Sequence, residues 1–352
     1  LYVRDSEKCR AEALQWRNIM NQISKAQFIS LLLMEDLFIL FCLKEEISII
    51  TAIGFSAGII LQFLFSVPLI KIYSRGKSLK DCGKAAEAVI LIYIIVWGGM
   101  LFSMLWNAGD VIYIPYGNSG FWGKFMVAAI IAVVCVYISS SGIKALGRSA
   151  LIAAAMGVVC LLIVIISALI QSDMSNLKEI GNKSFLSELI RGFALSGGLG
   201  SFIMLLGFTK GKPMRNAAGY FIGKVILTLA VIITGVLVSG GIMEITDFPI
   251  ATAAQLSQPF DVQRIDSLFL IVFSVYAVYS IAVQASAADY LLGEVIPAIK
   301  KYRSTLMLAA MASVGFIFSG NTHYGMGYSI AVAVILLFAP VSYFVKRRLR
   351  GA

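Results

Sequence analysis

The chain has 352 residues, of which 59% are hydrophobic and only 14% charged, with a formal net charge of +10. A soluble domain carries charge on roughly a quarter of its residues because its surface must face water, so the composition excludes an ordinary soluble protein and implies a lipid bilayer around it. In a soluble chain such a basic excess would suggest nucleic-acid binding; here the lysines and arginines sit in short loops between apolar runs, where they report topology, and no nucleic-acid partner is expected.

Residues 1–25 are polar and of mixed charge, with Arg4, Lys8, Arg10 and Arg17 spread through them. They lack the compact apolar core and small-residue cleavage site of a signal peptide, which predicts a cytoplasmic segment ahead of an uncleaved first span. A helix needs about 20 apolar residues to cross the hydrocarbon region. Spans are predicted at 26–43, 47–70, 86–106, 121–140, 149–170, 192–209, 216–239, 266–292, 304–320 and 325–345. The fold class is therefore all-α, a ten-helix membrane domain over 26–345 followed by a basic tail at 346–352. Assigning alternate loops to the two sides puts 22 Lys and Arg on the side of both termini and 6 on the other, with Lys224 left inside a span. That asymmetry predicts cytoplasmic termini. The outer loops at 171–191 and 241–265 are long enough for short surface helices, and Phe248-Pro249 through Phe260 suits the membrane interface.

Certain polar groups fall at membrane depth. In the first span, Glu35 and Asp36 each cost about 2.5–3.5 kcal/mol on insertion scales. They imply either a wet cavity serving a substrate amine, a cation or a proton, or a span that ends early. Trp97 and Ser103 are candidates in the third span. The sixth contains Ser196-Gly197-Gly198-Leu199-Gly200-Ser201, three glycines in four residues. Glycine costs helix stability, so this stretch suits either an unwound binding segment or close helix packing. Transporters with five-plus-five inverted repeats break the first and sixth helices at such a site, and breaks are expected in both. Lys224, near the cytoplasmic end of the seventh span, reads first as a snorkelling side chain, and otherwise as an internal cation replacing bound sodium. Tyr276, Tyr279 and Gln284 are the polar candidates of the eighth, with Gln284 equally suited to bonding between helices.

The cysteines at 9, 42, 82, 135 and 160 show no CxxC or CxxH spacing, which predicts neither disulfides nor metal. The single histidine, His323, falls in a loop, and no serine–histidine, paired-aspartate or HExxH arrangement is present. An enzyme is not expected, nor a cofactor.

Phe248-Pro249 followed by Arg264-Ile265-Asp266-Ser267-Leu268-Phe269 resembles the FP…RxDxxF signature of the endospore germination permeases. Ile23-Ser24-Lys25-Ala26-Gln27-Phe28 is similar to that family's ISxxQ entry into its first span, and Lys77-Ser78-Leu79 also fits. These are the B subunits of GerA-type germinant receptors, in the amino acid–polyamine–organocation superfamily. The resemblance implies a LeuT-like fold and a pocket between the first, third, sixth and eighth spans. It also implies germinants such as amino acids, and assembly with an A subunit and a lipoprotein C subunit in the inner spore membrane. Arg264 and Asp266 have a reading of their own, as a loop tie made by charge-assisted hydrogen bonds, and with Phe248 and Pro249 they are expected to be architecture. The chain departs from the family at Glu35-Asp36-Leu37, where small residues are usual, and near Phe202, where a glutamate is frequent. The expected ligand contacts are Glu35, Asp36, Leu37, Gly197, Gly198, Gly200, Ser201, Phe202, Tyr276 and Gln284. The competing reading is a proton-coupled amino acid or polyamine transporter, with Glu35 or Asp36 as its proton site.

Overall fold

The computed structural model describes residues 22–44, 46–112, 121–170, 174–178, 183–195, 198–239, 248–256, 265–296, 303–318 and 326–351. Among these the chain is helical, without strands beyond one isolated bridge between Ile23 and Thr209. In chain order the helices are α1 (Lys25–Phe41), α2 (Ile49–Ser74), α3 (Leu79–Cys82), α4 (Lys84–Ile112), α5 (Phe121–Ser140) and α6 (Ile143–Ile170). They continue as α7 (Phe185–Leu195), α8 (Leu199–Leu206), α9 (Pro213–Ser239), α10 (Pro249–Leu256), α11 (Ile265–Val295), α12 (Arg303–Phe318) and α13 (Met326–Gly351). A short 3-10 turn occupies Met174–Lys178.

Seven of these helices are long and apolar enough to cross a membrane, or eight if the bent pair α7–α8 counts as one span. The protein is a multi-pass membrane protein. The helices overlap the predicted apolar runs, with ends that differ by up to six residues and, for the sixth, a start seven residues earlier at Phe185. Most of α4 and α11 is buried, whereas α5 and α6 expose most of their apolar surface. Around this core, α11 packs on α1, α4, α5 and α6, and α9 packs on α1 and α2.

The residues that open α1 form a capping box. Ser24 Oγ accepts from the Gln27 backbone N–H at 3.2 Å, and Gln27 Oε1 accepts from the Ser24 N–H at 2.8 Å. Two of the orphan donors at the helix start are thereby satisfied. This is the physical content of the Ile-Ser-x-x-Gln pattern, and Ser24→Ala is expected to cost about 1 kcal/mol. Thermal unfolding of the purified protein checks the cost, and amide exchange over residues 25–28 should locate it. Just before the box, Ile23 exchanges backbone hydrogen bonds with Phe208 and Lys210, each at 3.0 Å. The entry to α1 is thus tied to the exit of α8.

Helices α2 and α7 touch backbone to backbone. A Cβ added at Gly54, Gly58 or Gly192 would collide with the facing main chain. This contact corrects the placing of 171–191 in an outer loop with at most a short surface helix, because the helix from Phe185 packs into the bundle. Glu188 and Arg191 lie inside α7, buried and 3.4 Å apart, with the Arg191 guanidinium over the Phe55 ring. A helix also forms after Phe248, and the described part of the Phe248–Phe260 stretch packs on protein. Phe248, Ile250, Ala251, Ala253 and Ala254 are buried against α9, α11 and α6, because the bundle offers those side chains a protein surface to pack on. Pro249 takes the first helical position of α10, where its missing N–H costs nothing. Lys44 sits over the Phe248 ring, 5.6 Å from its centroid.

Helix α1 runs without interruption through Glu35 and Asp36 to Phe41. The break expected in the first span is therefore not found within this segment. Side chains from neighbouring helices hydrogen-bond both carboxylates, so the α1 backbone need not unwind to supply donors.

Candidate functional site

Successive residues on an α-helix point about 100° apart, so Glu35 and Asp36 meet different neighbours. Glu35 is fully buried. Its Oε1 accepts from the Trp97 indole N–H of α4 at 2.6 Å and from the Gln284 amide of α11 at 2.8 Å. The same amide reaches Glu35 Oε2 at 3.0 Å, and the Ser201 hydroxyl of α8 lies 3.4 Å from that oxygen. Gln284 also donates to Ser201 Oγ at 3.1 Å, while the Ser201 hydroxyl is 2.7 Å from the Gly198 carbonyl. Four helices therefore converge on one carboxylate, and every donor on it is neutral. Gln284 Oε1 is buried without a hydrogen-bond partner.

Asp36 turns instead toward α9. Its Oδ1 lies 2.6 Å from the Lys224 ammonium, and Tyr220 donates to its Oδ2 at 2.8 Å. Lys224 also donates to the Tyr220 hydroxyl at 3.2 Å. Lys224 is 3% exposed, which corrects the snorkelling reading: the Asp36 carboxylate offers the ammonium a charged partner inside the bundle. Beside the pair, between α1, α2, α7 and α9, is a hollow of about 20 Å³, room for about one water molecule.

Helices α7 and α8 are bent by 49° at the glycine-rich stretch. Gly198 has φ +54°, a left-handed conformation that glycine adopts without the steric cost other residues incur. A Cβ there would also lie 3.0 Å from Glu35 Oε2, so the same glycine lets the carboxylate approach the start of α8.

The other predicted contacts separate into groups. Gly200 faces Ile94 and Tyr93 of α4 in a close helix contact. Phe202 stacks on Tyr220 at 5.7 Å between ring centroids, and Leu37 is buried in the apolar core. Tyr276 lies two turns along α11 from Gln284, stacked on Phe41 at 6.2 Å and against Gly157. Gly197, Arg264 and the Asp266 side chain lie outside the described residues. Tyr220 was missed by sequence reasoning. Its spacing of four from Lys224 places both on one helix face, and that was the available signal.

A family model described as spore germination protein matches residues 121–324, more than half of the chain. The matched range holds the Phe-Pro and Arg-x-Asp elements but not the capping box of α1. No curated protein matches in sequence. Among solved structures, the chain is similar to Mhp1, a nucleobase-cation-symport-1 family transporter, in a closed conformation with bromovinylhydantoin bound. That similarity has a TM-score of 0.64 at 13% identity, over 94% of this chain and 80% of that one. It is also similar to the inward-facing conformation of Mhp1, with a TM-score of 0.59 at 13% identity over 92% and 77%. At such identity the likeness is one of fold alone.

Proposed function

The chain belongs to the spore germination protein family, and from that premise we propose that it is a permease-like germinant receptor subunit that binds a small amine-bearing solute, such as an amino acid, around Glu35. One observation carries the reading. Glu35 is a fully buried carboxylate whose oxygens meet only neutral donors, while its neighbour Asp36 has a lysine of its own. A buried charge without a counter-charge is costly, and a solute ammonium would complete it. No ion pair to Glu35 is present among the described residues.

The architecture proposed with this site is a ten-span, five-plus-five bundle. It adds α1 and α12, both just short of the usual spanning length, to the seven long helices, and counts α7–α8 as one broken span. Termini lie on the side of the basic loops, taken as the cytoplasm, in the bacterial cytoplasmic or inner spore membrane. A large A-type subunit and a lipoprotein C-type subunit are the proposed partners. Solute binding would act by its different affinity for two conformations, and it must exchange with the hydrogen bonds now closed on Glu35.

A second reading, a proton-coupled transporter of amino acids or polyamines, draws on the same carboxylate, since buried carboxylates also serve proton relays. The chain reconstituted alone in proteoliposomes distinguishes them. Saturable amino acid binding without uptake supports the receptor, and uptake driven by a pH gradient supports the carrier. Absence of both would overturn the site.

A further inference from the structure

A second cavity, of about 160 Å³, opens on the side of the basic loops and is lined by Gln22, Tyr73, Ser78, Lys80, Glu87 and Tyr290 among others. It lies beneath the Ile23–Phe208 tie, among the ends of α2, α8 and α11 and the start of α4. Glu87 is three turns before Trp97 on α4, about 15 Å along the axis, so the cavity is separate from the Glu35 cluster.

Its polar groups are mostly engaged. The Ser78 N–H and hydroxyl both reach Asp81 Oδ2, at 2.8 and 3.3 Å. The Tyr73 hydroxyl donates to the Ile203 carbonyl at 2.8 Å. Lys80 pairs with Glu294 at 2.8 Å and lies 6.0 Å from the centre of the Tyr290 ring. Lys346, from α13, approaches the Lys80 carbonyl at 3.5 Å. Glu87 differs from all of these. It is 5% exposed and lines the cavity, and its carboxylate has no hydrogen bond or close ion pair among the described residues, with Lys80, Lys84, Lys346 and Glu294 acting on it only through longer-range electrostatics.

We propose that this cavity is a second solute site, which takes a small organic ammonium from the compartment faced by the basic loops and binds it between the Glu87 carboxylate and the Tyr73 and Tyr290 rings. The wall already holds one ammonium in this way, that of Lys80, between the Glu294 carboxylate and the Tyr290 face. A carboxylate and aromatic faces together suit a cation better than a neutral or anionic solute. Glu87 remains spare because Lys80 is committed to Glu294.

The test titrates n-butylammonium, n-butanol and butyrate into the full chain in lipid nanodiscs by calorimetry. It uses the Glu35→Gln background, so that failure of the midplane reading and failure of this one are separable. The expected result is saturable binding of n-butylammonium, with n-butanol and butyrate at least tenfold weaker. Adding Glu87→Gln should weaken the ammonium at least tenfold. Adding Lys80→Gln, which frees Glu294, should tighten it several-fold. These opposite signs are not what a general loss of folding would produce. Absence of saturable binding, equal binding of n-butanol, tighter binding of butyrate, insensitivity to Glu87→Gln, or weakening by both substitutions would each overturn the assignment.

Discussion

Lys224→Met is expected to be among the most destabilising single changes in the protein, at about 3–5 kcal/mol, the cost of removing one partner from a buried ion pair. The side chains of Lys224 and Asp36 are 3% and 7% exposed and sit 2.6 Å apart. Once the ammonium is gone, Asp36 retains only the Tyr220 hydroxyl, and its charge is left in a hollow with room for about one water. Asp36→Asn should cost a similar amount, because the amide keeps the hydrogen bond from Tyr220 but leaves the Lys224 ammonium buried without its counter-charge. The double variant Asp36→Asn with Lys224→Met should recover most of the loss, since replacing both members of such a pair is often close to neutral. Thermal unfolding of the four proteins closes the cycle. If Lys224→Met melts with the wild type, the ammonium reaches the interface and the pair carries no weight.

Glu35→Gln should separate binding from folding. The substituted side chain keeps an oxygen for the Trp97 N–H. Its new amide group would face the Gln284 amide, but Gln284 Oε1 is unpartnered and can rotate in to accept. Stability should therefore change by no more than about 1–2 kcal/mol, because the altered buried hydrogen bond is offset by relief of the uncompensated charge. Solute affinity should fall about 100-fold, or about 2.7 kcal/mol, because a charge-assisted bond to the solute ammonium is lost. Glu35→Leu, which leaves the Trp97 N–H and the Gln284 amide facing a hydrocarbon, should lose stability as well. Binding of an amino acid panel to nanodisc-embedded protein provides the measurement. Unchanged affinity in Glu35→Gln would move the solute elsewhere in the molecule.

The two carboxylates were legible as anomalies before any coordinates, because ionisable groups at membrane depth are rare and need a partner. Which partner each would take was not legible. Trp97, Ser201 and Gln284 stand 62, 166 and 249 residues from Glu35. Nothing local to any one helix fixes the rotation at which it meets another. The same limit explains Lys224. A lysine near a span end snorkels unless a carboxylate lies across from it, and Asp36 is 184 residues from the Tyr220 that shares its site.

Local chemistry determined the rest. The apolar runs placed the helices because an unsatisfied backbone group is costly in hydrocarbon and a helix satisfies its own. Ser24 and Gln27 fixed where α1 begins, since a capping box needs only residues three apart. Gly198 opens α8 in a left-handed conformation because such a φ is cheap for glycine. Only the tertiary structure decided that α1 stays wound past Asp36, that Glu188 and Arg191 are buried against α2, and that Asp36 takes Lys224 while Glu35 takes neutral donors. Those outcomes depend on how separate helices rotate and pack, and a linear pattern holds no record of that.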